Sequence, residues 1–143
     1  MEISNELDFK KWKEITEESR RVVQAAIDAI NRADWKGYVS YFSEDLDFWV
    51  PGTTPISGRI IGKQPFSVFI EKLGIYLDML SLKITNFIAC RDWVVSEAVG
   101  DGLTKKGKKY CNTYCILWQV KNGKIVKFVE YHDTDLIMRV LVA

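Results

Sequence analysis

A chain of 143 residues and 16.5 kDa is the size of one ordinary domain, and at this length roughly two thirds of the unfolded surface can be buried. Hydrophobic residues make up 48% and charged residues 27%, with 20 Lys and Arg against 19 Asp and Glu for a net charge of +1. That balance gives no footing for nucleic acid or for an acidic membrane surface. No run approaches the roughly 18 apolar residues of a membrane span, and the charged opening MEISNELDFKKWKEITEESRR is unlike a secretory leader, so the chain reads as cytosolic.

From Phe9 to Arg32 the residues Trp12, Ile15, Val22, Val23, Ala26, Ile27 and Ile30 recur at three- and four-residue steps, which predicts an amphipathic helix or two in succession. Residues 1–19 read as a helical N-terminal extension to a single domain spanning 1–143. Asp34 is placed to cap a second helix over WKGYVSYFSED, with Tyr38 and Phe42 on one face. LDFWVPG reads as a brief strand stopped by Pro51, and PGTTPISGRIIG as a loop. Pro65 suits the first turn of a helix carrying Phe66, Phe69, Ile70, Leu73 and Leu77.

Beyond Leu80 the pattern changes. SLKITNFIAC, WVVSEAVG, YCNTYCILWQV and KIVKFVEYHDT are short, rich in β-branched and aromatic residues, and bounded by turns, as strands are. KNGK at 121–124 is a hairpin signal, and the basic TKKGKKY at 104–110 reads as a solvated hairpin tip. Helices followed by a strand meander predict an α+β domain in which one face of a curved antiparallel sheet is covered by helices. Cys90, Cys111 and Cys115 are odd in number and lack CxxC spacing, so they indicate neither a disulfide framework nor a zinc site. GRIIGK lacks the glycine spacing and following Ser or Thr of a phosphate loop, and no cofactor or metal is expected.

Two strings, AAIDAINRADWKGYVSYFSEDLDFWVPGTTPISGRIIGKQPF and CILWQVKNGKIVKFVEYHDT, resemble the SnoaL-like and ketosteroid-isomerase-like proteins of the nuclear-transport-factor-like superfamily over roughly residues 20–137. The resemblance implies a cone, in which a bent sheet wraps around a long N-terminal helix and a pocket opens between them. Its members include isomerases, polyketide cyclases, epoxide hydrolases, dehydratases and non-catalytic binding modules. The ketosteroid isomerases' catalytic positions fall on Ala26, Ile116 and Trp49 or Val50, so their set is not carried over. Against limonene-type epoxide hydrolases the arginine position falls on Glu97, an aspartate position on Val99, and the tyrosine and asparagine positions on Asp47 and Trp49. The last-strand aspartate, Asp133, is retained. It also recurs as an acid/base in SnoaL-type cyclases.

The resemblance thus turns Asp133 toward the pocket. Because neighbouring strand residues point to opposite faces, Tyr131 and Val129 should then face the pocket, and His132, Glu130 and Phe128 should face away. His132, the chain's single histidine, and Asp133 then form no dyad, unless a bulge between them reverses the order. The same arithmetic turns Asn112, Tyr114, Ile116 and Trp118 inward, with Glu97, Trp93, Val95 and Val99 on a second strand and Asp47 and Trp49 on the first.

These expectations describe a site for a small apolar molecule. Asp133 would exchange a proton on a carbonyl or enol substrate while Asn112 and Tyr114 steer its oxygen, and Trp49, Trp93, Tyr131, Glu97 and Asp47 would line the rest. Isomerisation, aldol-type cyclisation and hydration all fit. The alternative is a non-catalytic binding module for an apolar metabolite. Polar members have plainer readings as well: Asp133 as N-cap of the turn TDLIMR, Glu97 as an ion-paired residue at the cone mouth, Asp47 as a solvated rim residue. Cys115, Leu117, Val126 and Phe128 on the outer face would form a homodimer contact.

Overall fold

The computed structural model describes residues 6–143. The first five residues of the expected N-terminal extension lie outside the described residues, and the rest of it belongs to α1 (Glu6–Asn31), one continuous helix. Its buried stripe is Thr16, Ser19, Val22, Val23, Ala26, Ile27, Ala29 and Ile30. Each buried Val or Ile contributes about 1.5–3 kcal/mol, and the small residues between them let the helix lie close to the sheet. Two polar ties fix its position. The Thr16 hydroxyl accepts the N–H of Arg91 at 2.8 Å. The Asn31 amide accepts the Leu82 N–H at 2.7 Å and donates to the Leu82 carbonyl at 3.0 Å.

Asp34 caps α2 (Trp35–Ser40) by accepting the Gly37 N–H at 2.8 Å. This helix is shorter than the sequence pattern predicts because Phe42 already opens β1 (Phe42–Val50). There Phe42 is buried between Tyr38, Phe66 and Phe128, and that packing outweighs the local helical pattern. β2 (Gly58–Ile61) follows, then α3 (Lys63–Leu73) with Pro65 in its first turn. Leu77 begins β3 (Leu77–Cys90) and does not prolong α3. The remaining strands are β4 (Trp93–Thr104), β5 (Lys109–Tyr110), β6 (Thr113–Lys121) and β7 (Lys124–His132), and a single turn, α4 (Thr134–Leu136), widens into a π-helical segment, Ile137–Val142.

The sheet order is β2-β1-β7-β6-β4-β3, with β5 pairing β4. β1 runs parallel to β7 and the other pairs are antiparallel, so an antiparallel-rich, curved and unclosed sheet surrounds α1. The KNGK tip has both central residues left-handed, Asn122 at φ 51° and Gly123 at φ 72°, as a two-residue hairpin turn requires. A register shift between β6 and β7 leaves Val126 as an extra residue.

One core fills the concave face. Phe42, Phe48, Phe66 and Phe128 meet there mostly edge-on or tilted at centroid distances from 4.5 Å upward, a favourable aromatic geometry. Trp118 is fully buried beside them, its Nε1–H donating to Ser96 Oγ at 2.9 Å. A second, smaller cluster of Tyr110, Ile137 and Leu141 gathers Ile56, Tyr76 and Leu77 around the C-terminal segment.

Gly100 and Gly102 on β4 make room for two tyrosine rings. A Cβ on Gly100 would lie 2.9 Å from Tyr114 Cε2, and one on Gly102 would lie 2.7 Å from the Tyr110 carbonyl oxygen. The second contact is with backbone and yields little. Gly102→Ala is therefore expected to cost about 1–3 kcal/mol, the usual penalty for overpacking, as a lower urea midpoint at an unchanged slope.

Candidate active site

Register sets which side chains meet inside. On β6 and β7 Tyr114 stands opposite His132, Ile116 opposite Glu130, and Trp118 opposite Phe128, and opposed residues of an antiparallel pair share a face. Tyr114, Ile116, Trp118 and Phe128 are all buried in the concave core. Glu130 and His132 therefore point inward with them.

This reverses part of the sequence reading. Tyr114 is inward as expected, but β7 presents Phe128, Glu130 and His132 to the interior, and Tyr131 is outward and 44% exposed. Phe128 accordingly leaves the expected dimer face. Asp133 lies past the end of β7 and caps α4, accepting the Leu136 N–H at 3.1 Å. The cap reading of Asp133 is the one the geometry shows. On β4 the buried residues are Val94, Ser96, Ala98 and Gly100, so Trp93, Val95, Glu97 and Val99 face out, and Glu97 accepts from Asn86 Nδ2 at 2.8 Å. On β1 Leu46, Phe48 and Val50 are buried. Asp47 and Trp49 are on the outer face, where Arg59 bonds Asp47 at 3.3 Å and lies over the Trp49 ring. Trp49 also meets Tyr131 edge-on at 6.2 Å.

Asn112 is fully buried and fully occupied. Its Oδ1 accepts the N–H of Thr113 at 2.7 Å and of Asp133 at 3.0 Å, and its Nδ2 donates to Tyr110 Oη at 2.9 Å and the Asp133 carbonyl at 3.1 Å. No capacity is left to steer a substrate.

The interior polar group is thus Glu130 and His132, with the hydroxyls of Tyr38, Tyr110 and Tyr114 around them. Burial alone pushes the Glu130 carboxyl up to about 7, since the charged form loses hydration. Burial lowers the His132 imidazole, partly offset by the charge of Asp133. Both ring nitrogens of His132 are buried without a hydrogen-bond partner among the described residues, and the ring meets Tyr114 edge-on at 6.0 Å. Burial and the Glu130 charge raise Tyr38. Burial likewise raises Tyr114 and Tyr110. A carboxyl and an imidazole share one face of one strand, and the carboxyl, brought to about 7 by burial, can take and return a proton at physiological pH.

A cleft of about 240 Å³ opens where α2, α3 and the start of β3 meet, lined by Trp35, Ile70, Leu73, Leu77, Met79 and Leu80 together with the carboxylates Glu71 and Asp78. Its lining stops short of Glu130 and His132. Trp35 links the two regions, meeting Tyr38 edge-on at 6.2 Å.

A long helix held in a curved sheet, with ionisable side chains on the concave face, defines the cone-shaped α+β class. Residues 23–128 match the SnoaL-like domain, and the chain belongs to that family. Solved structures of the same fold include an NTF2-like protein of unknown function from Burkholderia pseudomallei K96243, at 19% identity and a TM-score of 0.81, covering 88% of this chain and 98% of that one. TerC co-crystallized with polyporic acid is 18% identical, with a TM-score of 0.78 and coverage of 88% and 99%. An LEH-like epoxide hydrolase from M. tuberculosis is 20% identical, with a TM-score of 0.73 and coverage of 89% and 91%. No curated protein sequence matches the chain.

The buried carboxyl makes stability depend on pH. Below its ordinary value of 4.5 Glu130 is protonated whether the chain is folded or not. Between 4.5 and about 7 only the unfolded chain ionises, so stability falls by up to about 3 kcal/mol across that window and levels off above it. His132 acts in the opposite sense, its contribution being complete above 6.5 and lost as pH falls toward its lower folded value. The difference between wild type and Glu130→Gln isolates the carboxyl: the fall between pH 4.5 and 7 in urea-unfolding free energy should be present only in the wild type.

Proposed function

We propose that this protein is a cofactor-independent acid–base enzyme acting on an apolar carbonyl or enol substrate, with Glu130 as the proton-transfer group in place of Asp133. The observation that carries this reading is the Glu130 carboxyl, inward on β7 and held at about 7 by burial. A base there is half-ionised near neutral pH, where both removal and return of a proton are efficient. The apolar cleft at Trp35, Ile70 and Leu80 suits such a substrate, and Tyr38, which meets Trp35 edge-on and feels the charge of Glu130, relates the cleft to the carboxyl. Co-crystallization of TerC, a structure of the same fold, with polyporic acid supports a small organic ligand.

Proton exchange on a simple ketone tests this without knowledge of the natural substrate. The wild type should accelerate exchange of the α-protons of 2-tetralone into D₂O, followed by proton NMR. Glu130→Gln should lose about 10²- to 10⁴-fold of that acceleration, the usual share of general acid–base catalysis. Asp133→Asn should keep the rate, since asparagine caps about as well as aspartate. No acceleration by the wild type would favour a non-catalytic binding module, and loss in Asp133→Asn with retention in Glu130→Gln would restore the aspartate.

We also propose that two copies associate through the outer sheet face. Val95, Cys115 and Leu117 lie on it half-buried, beside Trp49 and Tyr131, which are 36% and 44% exposed, and apolar patches of this kind mark partner surfaces. Sedimentation at micromolar concentration should give a dimer, and Leu117→Arg a folded monomer. A wild-type monomer would reject the contact.

A further inference from the structure

The imidazole of His132 has no assigned role, and its surroundings are unusual. Both ring nitrogens are buried and neither finds a partner among the described residues. A buried donor or acceptor left unmade costs about 1–3 kcal/mol, so a side chain kept in that position is suited to a partner from outside the protein. The ring is set on the concave face by its register opposite Tyr114 and by edge-on contact with that tyrosine at 6.0 Å. Glu130 lies two residues back on the same strand and face, about 7 Å away by strand geometry.

Building on the reading of Glu130 as the proton-transfer group, we propose that His132 is the oxygen anchor of the same site, which takes an uncharged ring compound bearing a carbonyl or enolic hydroxyl. An uncharged ligand suits this position because the side chains that share the face across β6 and β7 are Tyr114, Ile116, Trp118 and Phe128, and among the described residues no positively charged group acts on Glu130 or His132. In its neutral form imidazole presents one N–H donor and one acceptor nitrogen. Its N–H therefore holds a carbonyl oxygen, and its bare nitrogen accepts from an enol hydroxyl. The step balances without a co-reactant. Glu130 removes a proton from the carbon next to the carbonyl, the C–H electron pair becomes the C=C bond, the carbonyl π pair moves to the oxygen held by His132, and the proton returns from Glu130 to carbon at the same or a conjugated position.

The test uses two probes of one shape. p-Cresol carries a hydroxyl on an sp² carbon, as an enol does, and p-xylene has a methyl group in its place. The chain has a single histidine, so its imidazole ¹⁵N resonances report on His132 alone. Titration with p-cresol should move those resonances and p-xylene should leave them, with p-cresol binding roughly tenfold or more tighter than p-xylene, the effect of about one hydrogen bond. His132→Phe should remove that preference. Glu130→Gln should retain both the preference and the resonance shift, so the anchor is read independently of proton transfer. Unmoved imidazole resonances, equal binding of the two probes, or no binding of either at millimolar concentration would overturn the assignment. In any of those cases, loss of tetralone exchange in Glu130→Gln would still stand for the carboxyl.

Discussion

The buried amide of Asn112 makes four hydrogen bonds, two from backbone N–H groups and two to a hydroxyl and a carbonyl, and much of the interior geometry descends from them. It sits in the break between β5 and β6 and grips Asp133 by both backbone groups, so β7 ends at His132. Asp133, held by a side chain and not by a ladder, is then free to cap the following turn. The same amide reaches Tyr110 Oη, and the ring of Tyr114, on the strand that follows, packs edge-on against His132. Without this clamp the strand end and the tyrosine pair have no common reference.

What the clamp positions is costly to bury. Glu130 resists ionisation as pH rises and His132 resists protonation as pH falls, so the interior is calmest when both are neutral. Such a pair weakens the fold relative to apolar residues of similar size, and side chains of this kind persist mainly at functional sites. The rest of the concave face compensates through aromatic packing around Phe66 and Phe128 and through Trp118, whose single polar group is satisfied by Ser96.

The order of elements was legible because each carries a local signal: the three- and four-residue apolar steps of α1, Asp34 before α2, Pro65 in the first turn of α3, the left-handed Asn122-Gly123 pair. The family was legible for the same reason. The site was much less so, because it turns on strand parity, and parity is a tertiary quantity. Asp47, Glu97 and Asp133 were anchored inward by likeness to other proteins, and in each strand the residues actually buried are the neighbours of that anchor. One physical signal was available. Three inward carboxylates would each need a partner or a proton, whereas the opposite parity buries only Glu130 and gives α1 the small Ser96, Ala98 and Gly100 to pack near. Tyr114, Ile116 and Trp118 are buried as the alternation of β6 predicts. That Asn112 is spent on backbone could not be read without the end of β7 in place.

The parallel pairing of β1 with β7 carries a consequence for how the chain assembles. β1 has only the short β2 beside it until β7, near the other end of the described chain, comes to lie along it. Loop closure over so long a span is slow because its entropy cost comes before any contact repays it. During synthesis, then, α1 and β1 would emerge with their apolar faces unmet, and the hairpin of β6 and β7 would form locally and bring both faces together late. The strand that closes the sheet is also the one that carries Glu130 and His132. Assembly of the fold and assembly of the proton-transfer group would therefore be a single event, and a truncated or stalled chain would expose hydrophobic surface without ever presenting a partial site.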